Sequence, residues 1–61
     1  MVEKFLGKSW SVRYYRNIRT VEVCSGDVIV WLMYYDRTCD AADAYASIKT
    51  VGDIRRLLGE F

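Results

Sequence analysis

The run SWSVRYYR, Ser9 to Arg16, sets Trp10, Val12 and Tyr14 against Ser11, Arg13 and Tyr15. A period of two with one apolar side predicts a half-buried β-strand. Asn17 follows at the place of a turn, and asparagine tolerates left-handed backbone better than most residues. Ile18 to Cys24, IRTVEVC, alternates again, with Val21 and Val23 on one face and Thr20 and Glu22 on the other, and its β-branched residues suit a second strand. The short, Gly-containing segment Ser25 to Asp27 then reads as a hairpin turn into a third strand. That strand, VIVWLMYYD from Val28 to Asp36, is apolar on both sides: Val28, Val30, Leu32 and Tyr34 on one, Ile29, Trp31, Met33 and Tyr35 on the other. Residues 1–8, MVEKFLGK, are mixed and read as a lead-in that brings Phe5 and Leu6 to the domain.

Beyond Asp36 the period changes. Ala41, Ala44, Tyr45 and Ile48 recur at helical spacing behind Asp40, a candidate N-cap. Thr50 and Asp53 stand at the spacing of a capping box, with Val51, Ile54, Leu57 and Leu58 as the inner face of a last helix and Gly59 as its stop. Arg55 and Arg56 fall on its outer side, near the negative end of the helix dipole. The pattern predicts one α+β domain over residues 1–61: a three-stranded antiparallel meander followed by one or two short helices packed on one face of the sheet.

This arrangement leaves the most apolar strand at an edge, where unpaired backbone and a second apolar face invite association. Two solutions satisfy the pattern. Ala44 to Ile48 could pair with it as a fourth strand, although alanine is a poor strand former. Alternatively a second copy covers the strand, and a homodimer is the preferred expectation. A 61-residue chain buries only about 60% of its unfolded surface, and scaffolds of this size usually add a disulfide, a metal or a partner chain.

Composition narrows those aids. The chain has no histidine, and two cysteines, Cys24 and Cys39, fall short of a four-ligand zinc set. The N-terminus lacks the basic and apolar regions of a secretory signal, so reduced thiols and a cytoplasmic location are the default. The longest apolar run is the eight residues from Val28 to Tyr35, against roughly 20 for a membrane-spanning helix. Nine basic residues against eight acidic ones leave a net charge of +1, a weak pull on nucleic acid or anionic lipid.

Catalysis has little to draw on, because without histidine a Cys or Ser nucleophile lacks its usual base. Asp36, Thr38 and Asp40 match the first positions of a calcium loop, but Ala41 stands where the loop needs glycine and Ser47 where it needs glutamate. A solvated loop explains them. The expectation is therefore no enzyme, no cofactor and no metal. A small binding or regulatory protein is expected instead, an inhibitor or adaptor of a larger target. A helical layer on the Val30 and Leu32 side would leave Trp31, Met33 and Tyr35, anchor-type residues, as its interaction surface. The alternative is a single-stranded nucleic-acid binder using Arg13, Tyr15, Arg16 and Arg19, since aromatic residues among basic ones on a sheet can stack bases and contact phosphates.

Overall fold

A computed structural model describes residues 1–59. Four strands, β1 (Val2–Leu6), β2 (Trp10–Tyr15), β3 (Thr20–Ser25) and β4 (Val28–Tyr34), precede two helices, α1 (Thr38–Ser47) and α2 (Val51–Leu57). The strands form one antiparallel sheet in the order β1-β2-β3-β4. The α+β meander is therefore one strand larger than its hydrophobic pattern predicts, and the addition is the lead-in itself. Its inward positions are Val2, Lys4 and Leu6, opposite Tyr14, Val12 and Trp10. Lys4 breaks the apolar alternation there, and it is accommodated because its ammonium donates to the Tyr45 carbonyl at 2.6 Å and lies 4.2 Å above the Tyr45 ring. Burial lowers its pKa from the ordinary lysine value.

The core forms between the sheet and the helices. Val12 and Tyr14 of β2, Val21 and Val23 of β3, Ala41 of α1, Ile48 directly after α1 and Ile54 of α2 are buried, with Leu6, Trp10, Trp31, Tyr35, Tyr45 and Leu58 packed around them. Tyr14 and Tyr45 stack with ring centroids 5.6 Å apart, which ties α1 to the centre of the sheet. Residues 41–47 are helical, so Ala44 to Ile48 adds no strand.

Three local expectations are corrected. Asp40 is not the cap of α1; Arg37 holds that position without a side-chain cap, and Asp40 lies in the first turn, bonded to the Arg37 guanidinium. An acceptor placed there still suits the positive end of the helix. Asn17 sits in a 3-10 turn, Arg16–Ile18, and the left-handed residue is Arg19, with φ 51°. Its Nε donates to the Tyr35 carbonyl at 3.2 Å, a bond that helps offset the cost of that conformation. Leu57 is 39% exposed and lies off the inner face of α2.

The capping box at α2 is present in both directions. Asp53 N–H donates to Thr50 Oγ1 at 3.2 Å, and Asp53 Oδ2 accepts from the backbone of Lys49 and Thr50. The amide of Lys49, then those bonds at Thr50, hold the Asp53 carboxyl below its ordinary pKa. A depressed carboxylate stabilises the fold above its unfolded pKa of about 3.9 and loses that contribution as pH falls through the lower folded value. Asp53→Asn keeps an acceptor but no titration. It is expected to reduce the loss of urea resistance between pH 5 and pH 2, and an unchanged acid profile would remove Asp53 from that role.

Gly7, in the β1–β2 turn, has φ +76°, and a Cβ there would meet Val51 Cγ2 at 3.1 Å. Gly7→Ala is expected to cost about 1–2 kcal/mol for the left-handed backbone alone, measured as a lower urea midpoint.

Candidate interaction surface

The helices cover one face of the sheet, and the other is open. Register places three rows of side chains on the open face: Phe5, Ser11, Cys24 and Ile29; Glu3, Arg13, Glu22 and Leu32; Tyr15, Thr20 and Tyr34. Along the middle row Arg13 Nε pairs with Glu3 at 2.7 Å, and Arg13 lies 3.9 Å from Glu22. The hydrogen bond it donates to Glu3 is the largest reason the guanidinium titrates above its ordinary range. Tyr15 donates its hydroxyl to Glu22 at 3.1 Å, and partial burial followed by that bond raises the phenol pKa. These polar groups satisfy one another across β1, β2 and β3. The row turns apolar only at β4.

A register irregularity decides which β4 side chains reach this face. Val23 pairs with Trp31 but Cys24 with Ile29, so Val30 is the extra residue of a β-bulge. Ile29 and Trp31 share one side in a regular strand; the bulge sends Ile29 to the open face and Trp31 to the core. Leu32 and Tyr34 follow on the open face. The helical layer thus lies on the Trp31 side of β4, opposite to the arrangement that would free Trp31, Met33 and Tyr35. Trp31 and Tyr35 are half-buried against the core, and burial raises the Tyr35 pKa. Met33 stands on the same side, opposite Val21, yet is exposed.

Most of β4 is open to water. Val28, Ile29, Val30, Leu32, Met33 and Tyr34 are between 38% and 68% exposed, and no charged residue interrupts them. Among the described residues Phe5, on the opposite edge strand and 75% exposed, is the other large apolar side chain of the open face. The sequence brings Phe5 to the domain with Leu6, but its place in β1, opposite Ser11, turns it outward to the open face, and nothing in the local pattern marks Val30 as a bulge.

The basic residues divide into two groups. Arg13 and Tyr15 belong to the ladder just described. Arg16 and Arg19 lie at the β2–β3 connection, where, with Met1, Asn17 and Thr38, they line a shallow cleft of about 580 Å³. Among the described residues neither has a carboxylate within 4 Å. Both thiols are free, Cys24 buried and Cys39 exposed, and no described helix is long and apolar enough to cross a membrane. Compared with known protein families, curated proteins and solved structures, the chain matches none.

Proposed function

We propose that this chain is a non-enzymatic binding protein, an inhibitor or adaptor, that acts through the apolar surface along β4 and the adjoining open face. The observation that carries this reading is the concentration of exposed large hydrophobic residues on one uncharged edge strand. Contiguous apolar surface of this kind costs solubility and is typical of interaction sites. The polar ladder of Glu3, Arg13, Glu22 and Tyr15 beside it supplies the rim that such sites carry. Trp31 and Tyr35 support the surface from behind, and Met33 joins it from the helix side.

Photo-cross-linking in an extract of the source cells tests this. Benzoylphenylalanine in place of Tyr34 is expected to give one discrete adduct, and in place of Asp43, on the exposed side of α1, none. Equal labelling from both positions, or none from either, would overturn the reading.

The cleft at Arg16 and Arg19 favours a second reading, binding of single-stranded nucleic acid, because its cations are not neutralised internally. Under it, Arg16→Ala and Arg19→Ala each weaken binding of a fluorescent oligonucleotide and reduce the slope of log affinity against log salt by about 0.7 per lost phosphate contact. Salt-insensitive affinity, or none, removes this reading.

A further inference from the structure

We propose that the occupant of the β4 edge is a second copy of this chain, paired antiparallel about a two-fold axis at Met33 to make a continuous eight-stranded sheet. The inference rests on the interaction reading and names its partner.

Backbone geometry identifies the free groups. The Tyr35 N–H donates to the Arg19 carbonyl at 2.9 Å. Antiparallel strands alternate inward and outward bonding positions, so Met33 and Trp31, opposite Val21 and Val23, turn their backbone to β3. Leu32 and Tyr34 turn theirs to the sheet edge. No described group bonds to either. α1 crosses β2 and β3, and Arg19, the neighbour of Tyr35, lies on the β3 side.

Three features of the sheet select a second copy. First, β4 carries no charge and no proline, the devices by which edges usually repel other strands; two identical β4 strands therefore meet without like-charge repulsion. Second, the other edge is guarded. β1 carries Glu3, bonded to Arg13, and Lys4, bonded to Tyr45. Pairing β4 with β1 of another copy would put β4 against these charges and propagate without end, whereas β4 with β4 closes. Third, one register pairs both Leu32 and Tyr34. Centred on Met33, Leu32 of each copy faces Tyr34 of the other, and both residues exchange both backbone bonds. Centring on Leu32 instead sets Tyr34 against the Val30 bulge, and centring on Tyr34 runs past the end of the strand.

In the Met33 register Leu32 and Tyr34 of the two copies also meet as aliphatic–aromatic pairs on the open face. The two open faces become one, and its middle is the apolar strip of two β4 strands between two polar ladders.

Light scattering over a dilution series is the primary test, and it is expected to give twice the 7.1 kDa chain mass, persisting at high salt. Chemical synthesis can methylate the amide nitrogen of Leu32, which removes one outward donor and leaves the side chain and the β3 bonds in place. This variant should halve the mass with its circular dichroism unchanged. For the register, Met33→Cys in a Cys39→Ser background should form a disulfide-linked dimer on mild oxidation, while Leu32→Cys in the same background should not.

A monomer in the unmodified chain, or a dimer indifferent to methylation at Leu32, overturns the pairing. Cross-linking at Leu32 but not Met33 overturns the register. A monomer that still gives the Tyr34-specific adduct to another protein loses the second copy and keeps the interaction reading. A monomer without the adduct loses both.

Discussion

Ile54→Ala is expected to lower the unfolding free energy by about 2–5 kcal/mol, the range for removing a fully buried aliphatic side chain and leaving its cavity. Ile54 has no exposed surface and is the one buried residue of α2. A chain of this size rarely holds more than about 3–5 kcal/mol of net stability, so the substitution should leave a large unfolded fraction even without denaturant. The reason lies in the shape of the molecule. Val12, Val21 and Val23 present a flat patch of short side chains, and α2 is seven residues long, too short to be stable without packing. Ile54 is what joins them. Urea titration followed by far-ultraviolet circular dichroism measures the effect, and a loss below about 1 kcal/mol would show that α2 is not part of the cooperative unit.

Trp31→Ala is expected to cost about 2–3 kcal/mol, less than the roughly 3–5 of a fully buried tryptophan, because Trp31 is half-buried. Leu32→Ala, one residue on, should change stability by no more than about 1 kcal/mol in dilute solution, since its side chain stands on the open face. The contrast tests the bulge. If Val30 did not shift the register, Ile29 and Trp31 would share a side, and the side open to water would be different. Comparable losses for Trp31→Ala and Leu32→Ala would contradict the two-faced arrangement. The same pair separates folding from association: Trp31→Ala acts on the core, and changes at Leu32 or Tyr34 act on the exposed edge.

The α+β class, the strands Trp10–Tyr15, Thr20–Ser25 and Val28–Tyr34, the turn with Gly26 at positive φ and the capping box at Thr50 and Asp53 were all legible in residue order. Each rests on neighbours in the chain: a period of two, a glycine between strands, two side chains three residues apart. The first strand was not legible, because Lys4 takes an inward position that only becomes tolerable when the Tyr45 carbonyl and ring arrive from α1. Reading Asp40 as a cap and Asn17 as the left-handed residue failed although their residue types suit those roles: helix entry lies three residues before Asp40, at Arg37, and the left-handed residue is Arg19, bonded to the Tyr35 carbonyl 16 residues away in sequence.

That β4 is apolar on both sides and lies at an edge followed from the sequence alone, since a meander ends where its last strand ends. Which of those sides faces water was decided only by tertiary structure. Hydrophobicity gave no ranking between Trp31 with Met33 and Leu32 with Tyr34, because both sets are equally suited to burial. One extra residue against β3, and helices that pack where Val12, Val21 and Val23 are flat, made the choice.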